Sequence, residues 1–281
     1  MKILISIFLL VITLLSCNSK ESKKSTADNV DRSLPFDLRS PSKCYELPKA
    51  LHEISGIAAV NDSIIACIAD EKGTVYFYNL KAGEIDTKLK FTEHGDFEDL
   101  TIVNDTIYVL DSRGVIWVIK NYLQQPQITS TPLTIEQPFE LEGLCHRGDT
   151  LFIAAKYYHN KKRDKKSVLP VWRLDRQLQI KDPLFNLPDI IQVGGNTAAA
   201  PFHTSAIVYY EKMKQWFCTS THTKAFIQCD YQGNILATQP LTEKDFSQPE
   251  GICFTMSGDL LISNEGKEGP GTILLFTHLK Q

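Results

Sequence analysis

The chain has 281 residues, 43% of them hydrophobic and 22% charged. That composition suits a globular fold and excludes collagen-like, coiled-coil and wholly disordered chains. Thirty Lys and Arg against 33 Asp and Glu leave a formal net charge of −3, so the basic excess of a nucleic-acid binder is missing and no nucleic-acid partner is expected.

Residues 1–17 read MKILISIFLLVITLLSC. Lys2 supplies a positive start, and Ile3 to Leu15 is an apolar run broken only by Ser6 and Thr13. The run is shorter than the roughly 20 residues of a spanning helix and matches the apolar part of a signal peptide. Its end, Leu14-Leu15-Ser16-Cys17, resembles the bacterial lipobox, in which a small residue precedes a Cys that is acylated after cleavage. This implies a signal peptide at 1–16, lipidation of Cys17 (palmitate included) and a membrane-anchored lipoprotein of the cell envelope. The domain would face the periplasm or the exterior. Two or three acyl chains anchor stably where one does not. Residues 17–33 are polar and aperiodic, which reads as the lipidated Cys and a solvated tether.

The rest, 34–281, is organised by a repeat. Lys43 to Leu47 is strand-like. Then one short motif recurs: a small or acidic polar residue, a small residue or Asp, then Ile or Leu. It reads Ser55-Gly56-Ile57, Glu98-Asp99-Leu100, Glu142-Gly143-Leu144, Ser205-Ala206-Ile207 and Glu250-Gly251-Ile252. The first residues are spaced 43, 44, 63 and 45 apart. After each motif come a polar turn, a β-rich run, a second turn and another run. In the second unit these are Asn104-Asp105, TIYVLD, Ser112-Arg113-Gly114 and VIWVIK. Such turn chemistry at fixed offsets marks hairpins.

A period near 44 residues with three or four short strands per unit predicts an all-β chain, a β-propeller. Five blades are counted from the repeats. The long third interval leaves room for a sixth. The last unit stops after its third strand, so the segment at 43–47 is expected to supply the outer strand of that blade and close the ring. The basic stretch from Lys156 to Lys166 reads as an exposed loop of the third unit, or as a surface for an acidic partner.

Apart from Cys17, the cysteines are Cys44, Cys67, Cys145, Cys218, Cys229 and Cys253. Five of them lie in apolar strand-like runs and none forms a CxxC pair, so buried free thiols are expected. A Cys218–Cys229 bridge across one hairpin is the alternative.

The tetrapeptides ISGI at 54–57, FEDL at 97–100, LEGL at 141–144, TSAI at 204–207 and PEGI at 249–252 resemble, in that order, those of the SdiA-regulated, YjiK-like family of exported propellers. The resemblance covers about 50–281 and implies a membrane-anchored propeller of unassigned biochemical role. Asp99 in place of Gly, and Ser205-Ala206 in place of an acidic-small pair, depart from the Glu-Gly pattern.

Propeller inner strands line a central channel. If the motifs begin those strands, Ser55, Glu98, Glu142, Ser205 and Glu250 ring one mouth. Three carboxylates crowded there must take up protons, bind a cation or stand apart in water. Oxygen ligands favour Ca2+ or Mg2+. The motifs are also similar to the Glu-Gly and Asn-Gly steps of calcium-dependent gluconolactonases and paraoxonases, which implies Glu98, Glu142 and Glu250 as metal ligands. The alternative is that these Glu cap strand ends. Asp70, Asp111 and Lys156, at the ends of second strands, line a ligand pocket together with Ser55 and Ser205, or serve as turn residues. His52 and His203 precede motifs and are candidate general bases. No GxSxG, Walker A, HExxH or GxGxxG is present.

Two functions follow. One is a lipid-anchored, monomeric binding or scaffold module for an unknown protein or small molecule, with or without a channel Ca2+. The other is a divalent-metal-dependent hydrolase of lactonase or phosphoesterase type.

Overall fold

The computed structural model describes residues 34–135, 139–158, 168–193 and 199–279. The expected signal peptide, Cys17 and the tether up to 33 lie outside the described residues. So does 159–166 of the basic stretch.

Blade two shows why the chain folds into hairpins. Thr106–Asp111 and Val115–Lys120 are dominated by β-branched, aromatic and other apolar residues, which suit a pleated, packed surface. Asn104 and Gly114 take φ of 55° and 78°, the left-handed backbone that a tight reversal needs and that Asn and Gly tolerate best. Elsewhere turns are tied by a carboxylate or amide accepting backbone N–H groups two to four residues ahead. Asn61 does this for Ser63 and Ile64, and Asp230 for Gln232 and Asn234.

The strands are β1 (Lys43–Glu46), followed by blade one, β2 (Ile54–Ala59), β3 (Ile64–Ala69), β4 (Lys72–Asn79) and β5 (Glu84–His94). Blade two is β6 (Phe97–Val103), β7 (Thr106–Asp111), β8 (Val115–Lys120) and β9 (Gln127–Pro132). Blade three is β10 (Phe139–Arg147), β11 (Thr150–Tyr158), β12 (Val168–Leu174) and β13 (Ile180–Pro188). A small hairpin, β14 (Ile190–Gln192) with β15 (Ala199–Pro201), follows. Blade four is β16 (Ala206–Tyr210), β17 (Gln215–Ser220), β18 (Ala225–Cys229) and β19 (Ile235–Pro240), and blade five begins with β20 (Pro249–Phe254), β21 (Leu260–Asn264) and β22 (Thr272–Phe276).

Each blade is a four-stranded antiparallel sheet in chain order except the last, whose order is β1-β22-β21-β20. Cys44 faces Leu274 and Tyr45 faces Ile273, so the N-terminal strand completes blade five and covers the edge it would otherwise expose. The inner strands β2, β6, β10, β16 and β20 each pack on the next, and β20 returns to β2. The ring has five blades. The additional residues before the fourth motif include the nine-residue outer strand β13 and the β14–β15 hairpin, and make no sixth blade among the described residues.

Burial falls from hub to rim: β17 is almost wholly buried, whereas β9 is mostly exposed. The core lies between facing sheets. Trp216 of blade four is fully buried and meets Phe152 and Phe185 of blade three at ring separations of 5.1 and 5.3 Å. Burying an indole of roughly 200 Å2 is worth about 5 kcal/mol before its ordering entropy is counted. All six described cysteines are free thiols and five are buried. Cys218 faces Ile227 and Cys229 faces Trp216, so the register offers no Cys218–Cys229 bridge.

Candidate functional site at the channel mouth

The ladders between inner and second strands slip at the motif residues. Phe97 faces Asp111 and Asp99 faces Leu110, which leaves Glu98 as the extra residue of a bulge. Leu141 faces Ala155 and Gly143 faces Ala154, leaving Glu142. Pro249 faces Asn264 and Gly251 faces Ser263, leaving Glu250. Blade one slips in the same way at Ser55-Gly56. A bulge takes a residue out of the ladder and re-aims its side chain, here near the start of four of the five inner strands and so at one mouth.

Glu98, Glu142 and Glu250 lie near one another. Glu98 and Glu142 are hydrogen-bonded, and Glu142 feels the charge of Glu250. Lys156, near the end of β11, donates from Nζ to Oε1 of Glu142 and lies 3.5 Å from Glu140. Burial, followed by the charge of Glu142, pushes the Glu98 carboxyl up to about 10. Burial also raises Glu142, to about 8, against the pull of Lys156. Glu250 is raised by burial and accepts hydrogen bonds from Gln248 and Thr221. Burial works against the Lys156 ammonium, but Glu142, Glu140 and Glu98 together hold its pKa above the ordinary lysine value. Glu98 therefore holds its proton more firmly than Glu142 and donates to it, and Glu142 is the carboxyl that pairs with Lys156.

The other expected residues divide. Asp70 joins an outer part of the mouth: burial and then its hydrogen bond to Asp96 raise it to about 7. Asp111 is buried and committed to its own turn, accepting from the Arg113 backbone at 3.0 Å and from its guanidinium. Ser205 sits just before its strand and joins blades, donating to the Pro249 carbonyl at 2.7 Å. Ser55 offers its carbonyl to Ser263 Oγ at 3.3 Å. His52 lies beside Glu265, which accepts from Gln248 at 2.5 Å. The His203 ring stacks on His222, 4.4 Å between centroids.

Asp96, Glu140 and Gln248 were not among the expected site residues. Each stands two residues before a motif Glu, and the period of two in strands was the available signal. The second motif position has a steric reason. A Cβ on Gly56 would lie 2.5 Å from Asp99 Oδ1 and 2.6 Å from Asp99 Cα, and one on Gly251 2.7 Å from the Ser55 carbonyl. Inner strands of adjacent blades approach that closely. Asp99, where the pattern has Gly, accepts backbone N–H groups from Leu100 and Leu144 at 2.8 Å each and ties blade two to blade three.

The expected Ca2+ or Mg2+ ligands thus meet beside a lysine. Among the described residues no group of three or more His, Cys, Asp or Glu is arranged to hold a metal ion. A divalent ion needs ionised oxygens around it, and the Lys156 ammonium stands beside these carboxyls.

No family model and no curated protein matches the chain. Among solved structures it is similar to the glutaminyl cyclase of Myxococcus xanthus, with a TM-score of 0.58 and 13% identity over 85% of this chain and 95% of that one. It is also similar to a structural-genomics protein of unknown function from Bacteroides thetaiotaomicron, with a TM-score of 0.52 and 12% identity over 75% of this chain and 52% of that one. At such identities the likeness concerns the propeller fold alone.

Proposed function

We propose that this protein is a lipid-anchored envelope propeller of the SdiA-regulated, YjiK-like kind, acting as a monomeric binding or scaffold module. Its ligand site is the mouth formed by Glu98, Glu142, Lys156 and Glu250. The observation that carries this is the Lys156–Glu142–Glu98 chain of hydrogen bonds at the hub. It places a protonated acid, a second carboxyl and an ammonium side by side, a set that recognises hydroxyl and amine groups by donating and accepting together. The domain is 34–281, and the anchor is Cys17 behind the 1–16 signal peptide, supported by Ser16-Cys17 directly after the apolar run.

The ligand class is a small, polar, uncharged or cationic molecule such as a sugar, polyol or amine. The full chain in detergent is titrated with a panel of these, and with Ca2+ and Mg2+, following its melting temperature. A sugar, polyol or amine that raises the melting temperature of the wild type but not of Glu142→Gln or Lys156→Met supports the reading. Saturable Ca2+ or Mg2+ binding lost in Glu142→Gln, with turnover of a lactone or phosphoester, would replace it by the metal-dependent hydrolase. Labelled palmitate should enter the wild type and not Cys17→Ser.

A further inference from the structure

On the face opposite the Glu98–Glu142 mouth, the turns after β10 and β16 enclose a recess of about 600 Å3, lined by His146, Arg147, Tyr209, Glu211, Lys214 and Tyr231. Arg147 is its most unusual member. The guanidinium carbon lies 4.6 Å from the ring centre of Tyr231, 5.2 Å from that of Phe152 and 5.5 Å from that of Tyr209. Such rings attract a cation while keeping water from it. Its Nη1 is buried and has no hydrogen-bond partner among the described residues.

A guanidinium does not lose its proton in proteins, so the charge stays. A buried donor without an acceptor is rare and calls for a cause. The neighbours do not supply an anion. Glu211 lines the recess but is exposed, and it forms no ion pair with Arg147. The His146 ring is engaged through Nδ1 with Thr101 Oγ1 at 2.8 Å. Lys214, held in its turn at φ 54°, brings a second positive charge to the wall. Tyr231 is 41% exposed and offers an open ring at the entrance.

We propose that this recess binds an oxyanion, a carboxylate or phosphoryl group borne on a flat or apolar body. The oxyanion accepts from Arg147 and Lys214, and the body stacks on Tyr231. A planar guanidinium matches both oxyanions, so the chemistry is shared and the probes separate the two sources.

The full chain in detergent is titrated with benzoate and phenyl phosphate by calorimetry, with acetate and inorganic phosphate as bodiless controls. One aromatic probe should bind saturably, and whichever binds tighter names the group. Arg147→Met should weaken it by about tenfold or more, as loss of a charge-assisted pair does. Glu211→Gln should tighten it, and Tyr231→Ala should bring its affinity down to that of the bodiless control. Gly269→Ala, whose added methyl meets nothing within 4 Å, should leave the probe affinity unchanged. If Arg147→Met fails to fold, Tyr231→Ala and Glu211→Gln still decide. No saturable binding to the wild type up to about 10 mM, a range that covers weak single-anion sites, overturns the proposal. So does equal affinity in wild type, Tyr231→Ala and Glu211→Gln.

Discussion

Lys156 Nζ is hydrogen-bonded to Glu142 Oε1, although the two residues stand in different strands, β11 and β10. The Glu142 side chain is 4% exposed and that of Lys156 32%. The pair is thus a buried carboxyl held by a half-buried ammonium, and the lysine is the positive partner of the whole mouth. Lys156→Met leaves Glu142 unpaired out of water. Removing one partner of a fully buried pair costs about 3–5 kcal/mol. Solvent screening at the exposed lysine brings the expected loss to roughly 1–3 kcal/mol. Lys156→Met with Glu142→Gln should recover most of it. Urea unfolding of both variants measures the difference.

The pH dependence has a definite sign. Folding raises Glu98 from an ordinary 4.5 to about 10 and Asp70 from 3.8 to about 7. The folded chain thus binds more protons than the unfolded one between those values. The stability these groups contribute is fully present below their unfolded pKa values. It is lost as pH rises, through about 7 for Asp70 and about 10 for Glu98. One such proton corresponds to about 1.4 kcal/mol per pH unit inside its window. Melting temperature should therefore fall from pH 5 to pH 9. Glu98→Gln, which keeps the shape without the titration, should flatten the slope. An unchanged slope would place the proton elsewhere.

Gly56→Ala should destabilise strongly, because the added methyl meets the Asp99 backbone at 2.6 Å rather than a movable side-chain tip. Overpacking of this kind costs about 1–3 kcal/mol. Gly269→Ala is the control, since nothing lies within 4 Å of the new Cβ. It should stay within about 0.5 kcal/mol of the wild type. Thermal melts of the two variants give the contrast.

Asp99→Ala should leave the Leu100 and Leu144 N–H groups without their acceptor. Each buried donor so orphaned costs about 1–3 kcal/mol. Asp99→Asn keeps one acceptor oxygen and should lose about half as much. Hydrogen exchange at the Leu144 amide reports the loss directly.

Deleting residues 34–47 removes β1 and bares the edge of β22. An unpaired edge strand recruits other chains, so the truncated chain should aggregate on purification while the full chain stays monomeric. Light scattering checks this.

The motif spacing of 43 to 45 residues and the turn residues between β-rich runs made the blades countable in the sequence. They also pointed to the segment at 43–47 as the closing strand, because the last unit lacked one. The same periodicity gave Glu98, Glu142 and Glu250 equivalent places in their blades. Asp111 was ambiguous there. As the last residue of its strand it read as either a pocket wall or a turn residue, and its bonds to Arg113 are those of a turn. Ser205 likewise carries the motif position but is spent on the Pro249 carbonyl.

The sequence by itself determined the propeller repeat, five countable units with room for a sixth, and the need for a closing strand. These depend on local propensity and on a repeat that is written linearly. Tertiary structure alone decided which charge stands beside the acidic residues, and which side chains the bulges at Glu98, Glu142 and Glu250 release toward one another. It also decided that Arg147 of blade three is roofed by Tyr209 and Tyr231 of blade four. Register slips and contacts between blades join residues through space, and neither leaves a periodic trace along the chain.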